Sequence, residues 1–157
     1  MRVLGVFVAV SLAAPVAAAD SIKPPPYWAS IVPSKARTRT GPGRNFPGIW
    51  LYQRSGLPVR VIATYPNWRK IADPEGDGGW IQSNMLTDKR TALVIGGTRE
   101  MRDRPSDTAN VTWRVAEGVV GAISECDSRW CRFETGGKRG YVARGGLWGL
   151  SPGETLP

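Results

Sequence analysis

The sequence predicts an all-β protein built from two copies of one small domain. Three observations carry this. The chain of 157 residues holds 19 glycines and 13 prolines, a composition of short strands and turns. No long stretch beyond the N-terminus keeps a helical period of apolar residues. The third observation is an internal repeat. Arg39, Pro42, Trp68, Trp80 and Leu86 recur as Arg102, Pro105, Trp130, Tyr141 and Leu147. The offsets are 63 (39 to 102), 62 (68 to 130) and 61 (80 to 141 and 86 to 147), an ordered drift that duplication explains better than chance.

The elements follow in order. Residues 1–19 read as a signal peptide: Arg2 is the basic start, Val3 to Ala14 is the apolar run, and Ala17-Ala18-Ala19 precedes a cleavage point at Ala19–Asp20. The run is shorter than the about 20 residues a membrane span needs, and Pro15 ends it. Residues 20–33 are a leader in which Pro24-Pro25-Pro26 imposes extended chain. Tyr27 and Trp28 are expected to dock on the first domain, which runs over 34–95.

That domain opens with an extended segment, Arg37-Thr38-Arg39, and a turn cluster over Thr40 to Asn45. Val59, Val61 and Ala63 alternate within a strand at 58–64. Pro66-Asn67 turns the chain into a strand at 68–72, the acidic stretch Asp73 to Gly79 turns it again, and Trp80-Ile81-Gln82 is the next strand. Ser83 to Leu86 is one helical turn. The apolar run Thr91 to Ile95 is expected to close the first domain as its last strand. The second domain then spans 96–150, with strands at 115–124, 129–134 and 139–143, and the patternless residues 151–157 form a tail.

Export places Cys126 and Cys131 in an oxidising compartment, where an even count reads as a structural disulfide across a hairpin. Such a staple suits domains of this size, which bury only about 60% of their unfolded surface. A redox-active pair would need a helix N-terminus or a Cys-x-x-Cys turn, and neither is present.

The chain has no histidine. That excludes Ser-His and Cys-His catalysis and the usual zinc ligand sets. Asp73-Pro74-Glu75-Gly76-Asp77-Gly78 mimics the first half of a calcium loop, but Asn84 stands where such a loop needs glutamate and the flanks are strands. It reads as a solvated hairpin turn. Nothing singles out a catalytic carboxylate pair, so no enzyme, metal or cofactor is expected.

Removing residues 1–19 leaves 20 basic side chains (21 minus Arg2) and 13 acidic ones, a net +7. The positive charge is dispersed rather than blocked. Charged strand surface explains it, and attraction to anionic envelope polymers is the functional reading. Export removes nucleic acid as a natural partner. The sequence does not set the oligomeric state.

The motif set resembles the bacterial SH3-like (SH3b) domains. In the first copy it comprises Arg37-Thr38-Arg39-Thr40-Gly41-Pro42-Gly43, Gly56-Leu57-Pro58-Val59, Asn67-Trp68-Arg69-Lys70-Ile71 and Gly79-Trp80-Ile81. In the second it comprises Met101-Arg102-Asp103-Arg104-Pro105, Glu117-Gly118-Val119-Val120, Trp130-Cys131-Arg132-Phe133 and Gly140-Tyr141-Val142. The second copy departs at its opening turn, where Arg104 replaces the glycine. The resemblance implies two tandem small SH3-like β-barrels, exported to the periplasm or cell exterior, non-catalytic, and binding peptidoglycan or an envelope protein or peptide without inserting stably in a membrane. A purely structural or protein-interaction role is the alternative, and a cryptic wall hydrolase a third.

The candidate ligand-binding residues are Arg37, Arg39, Trp50, Tyr52, Trp68 and Trp130, with Trp113 a further platform in the second copy. Flat aromatic faces suit extended peptides and sugars. Trp80, Tyr141 and Trp148 are assigned to packing.

Overall fold

The computed structural model describes residues 23–157; the stretch read as a signal peptide, with its expected Ala19–Asp20 junction, lies outside them. The described chain forms two seven-stranded antiparallel sheets of identical topology. The first runs β3-β2-β6-β5-β4-β1-β7, from β1 (Tyr27–Ile31), β2 (Ala36–Arg39), β3 (Gly48–Tyr52), β4 (Pro58–Tyr65), β5 (Trp68–Asp73), β6 (Gly76–Gln82) and β7 (Leu86–Thr87). The second runs β10-β9-β13-β12-β11-β8-β14, from β8 (Thr91–Val94), β9 (Arg99–Arg102), β10 (Val111–Val115), β11 (Val120–Ser124), β12 (Trp130–Thr135), β13 (Lys138–Ala143) and β14 (Leu147–Trp148). Every strand of one sheet therefore has a counterpart seven places on.

Each sheet wraps round one apolar cluster, as SH3-like barrels do. Ala29, Ile31, Val59, Val61, Ile71 and Ile81 fill the first. Ala92, Val94, Met101, Phe133 and Val142, with the cysteines, fill the second. The alternation expected in β4 holds for Val59 and Val61, both buried. It fails at Ala63, because a register shift against β5 falls between Val61 and Ala63 and turns the strand. The helical turn after each sixth strand is a single 3-10 turn, Ser83–Met85 and Arg144–Gly146.

Four expectations are corrected. Thr91 to Ile95 does not close the first domain: β8 pairs with β11 and β14, so it opens the second sheet. Its true counterpart is β1, which lies inside the stretch read as a leader and pairs with β4 and β7. The proline run hid this strand, since it sets extended chain only as far as the point where the ladder begins. The long strand expected at 115–124 is two strands, β10 and β11, because the chain turns at Gly118 with φ +80°, a conformation glycine adopts without strain. The tail is also tied down. Leu156 donates its N–H to the Cys126 carbonyl at 3.0 Å, Glu125 to the Pro157 carbonyl at 2.8 Å, and the Leu156 side chain packs on the second core.

The two domains interlock through β1 and β8. Tyr27 packs on the first core as expected. Trp28 instead reaches the second domain: its ring meets Trp148 edge-on at 5.0 Å, and its indole N–H donates to Ser151 Oγ at 2.9 Å. The Ser30 and Thr91 hydroxyl oxygens lie 2.6 Å apart in a buried contact. Arg54 crosses to the Gly118 carbonyl at 2.6 Å.

The cysteines form the expected bridge, with Cα atoms 4.1 Å apart. It staples the turn between β11 and β12, where Asp127 also accepts from the N–H groups of Arg129 and Trp130. Those two bonds hold the Asp127 carboxyl below the usual carboxylate range.

Candidate functional site

The candidate residues separate into three groups. Trp68 and Trp130 are buried, 8% and 5% exposed, so neither offers a face to a ligand. They occupy equivalent first positions of β5 and β12 and are wall residues of their barrels; their expected platform role is corrected.

The arginines divide. Arg39 donates to the Phe46 carbonyl at 2.8 Å, and Arg102 donates to the Ala109 carbonyl at 2.6 Å. Both span seven residues and close the same loop. The repeated arginine is thus a loop clamp in both copies. Arg37 is exposed and pairs across the ladder with Leu51, its stem lying over Gly48.

Trp50 and Tyr52 are brought together, and the structure adds neighbours to them. They lie on β3, the edge strand of the first sheet. Ile49, Trp50 and Leu51 are 44%, 59% and 44% exposed, an apolar surface of the kind that marks interaction sites. Tyr52 folds inward over Gly78 and donates its hydroxyl to Asp73 Oδ2 at 2.6 Å. Burial first, and the Asp73 bond second, push the Tyr52 phenol well above its ordinary range.

The β5–β6 hairpin stands beside this face. Asp73 Oδ1 accepts from the N–H groups of Glu75 and Gly76 at 3.0 and 3.1 Å, which fixes the turn. Asp77 pairs with Lys70 at 2.8 Å and accepts from Gly79 N–H at 2.9 Å. The lysine and that N–H hold its carboxyl below the usual range. Trp50, Leu51, Tyr52, Asp73, Glu75 and Asp77 together enclose a pocket of about 280 Å³. It has an aromatic wall, an aliphatic wall and an acidic rim.

Sequence reasoning had Trp50 and Tyr52 but not the carboxylates. It saw the acidic turn and assigned it to solvent, because the contact between β3 and a hairpin more than twenty residues on becomes visible only when the sheet closes. A larger cleft of about 570 Å³ lies between the domains. Its lining, which includes Arg54, Gly56, Lys89, Val120 and Glu134, holds no aromatic ring. Among the described residues no group of three or more His, Cys, Asp or Glu side chains is arranged to hold a metal ion, and no helix is long and apolar enough to cross a membrane.

Two wrapped seven-stranded sheets with repeated loop clamps define a tandem SH3-like protein. The sequence model of the bacterial SH3 domain matches residues 32–88 and again 97–149. The chain belongs to that family. No curated protein matches it. Among solved structures it is similar to NlpC1 from Trichomonas vaginalis, at 13% identity and a TM-score of 0.35, over 82% of this chain and 47% of that one. NlpC2 from the same organism is similar at 14% identity and a TM-score of 0.36, over 79% of this chain and 48% of that one. The chain spans about half the length of these two proteins.

Proposed function

We propose that this chain is an exported, non-catalytic binding module of the bacterial cell envelope, with its ligand face on the first domain. The observation that carries the reading is the exposed Trp50 beside a formed pocket. An unpaid aromatic surface on an edge strand is retained where a partner covers it. Membership of the bacterial SH3 family supports a binding role at the envelope, and the disulfide fits an oxidising compartment. The net positive charge favours approach to anionic wall polymers.

The ligand is wall peptide or an envelope protein segment, held by ring stacking and polar contacts at the rim. The second domain is the stapled companion that completes the fold. The test is retention of the mature chain on isolated peptidoglycan sacculi at moderate salt, against a basic control protein of similar charge. Retention above the control is expected; retention equal to the control contradicts the reading. Muropeptide products are expected to stay absent after prolonged incubation.

A further inference from the structure

The two copies carry the same tryptophan in opposite electrostatic settings. Trp113 on β10 is the counterpart of Trp50: Arg39 and Arg102 are equivalent, their ladder partners are Gly48 and Val111, and each tryptophan stands two residues on. The hairpins align as well. Asp73 pairs with Gly76 and Ala72 with Asp77 in the first copy, while Thr135 pairs with Lys138 and Glu134 with Arg139 in the second. Asp73, Gly76 and Asp77 therefore correspond to Thr135, Lys138 and Arg139.

In the second copy the chain supplies its own cation to the ring. Lys138 Nζ lies 3.9 Å from the centroid of the Trp113 ring, a cation–π contact. In the first copy the residue at that place is Gly76, which has no side chain to send. The hairpin instead carries Asp73, Glu75 and Asp77, all lining the pocket next to Trp50. Lys70 neutralises Asp77, so Asp73 and Glu75 leave the rim net negative. This happens on a chain whose overall charge is +8, so the acidity is local.

We propose that the Trp50 pocket takes a primary ammonium group on a flexible alkyl stem, supplied from outside by a lysine or other diamino-acid side chain of a peptide. The ammonium occupies the place that Lys138 fills over Trp113. Its charge faces the ring and the Asp73 and Glu75 carboxylates, and its stem lies along Leu51. The pocket volume of about 280 Å³ suits one side chain, since sites for drug-sized ligands begin at about 300 Å³. The inference rests on the proposed binding role and names the chemistry of its ligand.

The test is a titration of the mature, disulfide-bonded chain followed by amide and indole NMR signals, with the Trp50 indole assigned from Trp50→Phe. N-acetyl-lysine methylamide is expected to shift the Trp50 indole and the Glu75 amide saturably. Its neutral isostere, N-acetyl-2-aminoheptanoic acid methylamide, which carries a methyl in place of the ammonium, is expected to bind about tenfold more weakly, as loss of the cation–π contact together with the facing carboxylates implies. Glu75→Lys, at an exposed turn position whose side chain makes no hydrogen bond or ion pair among the described residues, is expected to weaken lysine binding about tenfold with unchanged thermal stability. Equal shifts from the two compounds, or no saturable shift, overturn the proposal. The wall as source is read separately, by retention on untreated sacculi and on sacculi whose amines have been acetylated. Lysine binding without retention on untreated sacculi leaves the ammonium site standing and removes the envelope-wall reading. Retention that depends on Trp50 but survives acetylation, with no lysine shift, removes the ammonium site alone.

Discussion

Tyr52 shows how one side chain links packing to the site. Its hydroxyl lies over Gly78, leaving no room there for a Cβ, and its O–H holds Asp73. Burial and the neighbouring carboxylate both oppose the phenolate. The folded phenol therefore keeps its proton at a pH where the unfolded phenol, near about 10, has lost it. Stability falls as pH rises past that point, because the unfolded state sheds a proton that the folded state retains. Tyr52→Phe is expected to reduce this alkaline loss, read as a shallower decline of the denaturant midpoint above about pH 10; an unchanged decline would show that Tyr52 ionises normally. At this scale the sequence was legible in kind rather than in role. It marked Arg39 and Trp68 as special because they recur, yet recurrence reflected a loop clamp and a barrel wall. The repeated Arg39 and Trp68 hold the shared fold, whereas the pocket joins one repeated residue, Trp50, to an acidic rim whose residues differ between copies.

Among the elements, β1 serves both domains. Its five residues pair with β4 and β7, while Trp28 packs on Trp148 of the other domain. Trp28 is 6% exposed, so Trp28→Ala is expected to cost about 3–5 kcal/mol, the range for truncating a buried large aromatic. Chemical denaturation checks it, and a cost below about 1 kcal/mol would mean that the inter-domain contact does not hold the fold. The central strands β4 to β6, β12 and β13 were legible from alternation and turn residues, while β11 was read as one strand with the end of β10. The edge strand β3 was not, because all its residues except Tyr52 are exposed and it shows no alternation. The assignments of β1 and β8 failed together. An apolar run between two repeats belongs equally well to either until ladder partners decide, and the partners of β8 are β11 and β14.

Across the whole molecule, the repeat gives two domains with one topology and different surfaces. The second domain is tied by its disulfide and by a tail strapped over it. Glu154 makes a two-pronged contact with Arg90, at 2.5 and 3.2 Å, and accepts from Ser151 N–H at 2.9 Å. Burial alone would raise the Glu154 carboxyl, but the bonds from Arg90 and Ser151 prevail and hold it below its ordinary range. Its stabilisation is thus present above the unfolded carboxyl value, near about 4.3, and is lost as pH falls through the folded value. Glu154→Gln is expected to cost roughly 1–3 kcal/mol at neutral pH, as for other hydrogen bonds to charged groups, and less in acid; a cost that stays constant with pH would contradict the pairing.

The first domain keeps an open tryptophan where the second lays Lys138 over one face of its own. That asymmetry is the centre of the account, and paired truncations measure it most directly. Retention on peptidoglycan sacculi is compared for Trp50→Ala and Trp113→Ala, both at exposed positions, 59% and 44%, where folding is spared. Trp50→Ala is expected to lower retention about tenfold, the scale of a lost aromatic anchor, while Trp113→Ala leaves it unchanged. Equal losses from the two variants, or full retention by Trp50→Ala, would contradict the assignment of the ligand face to the first domain.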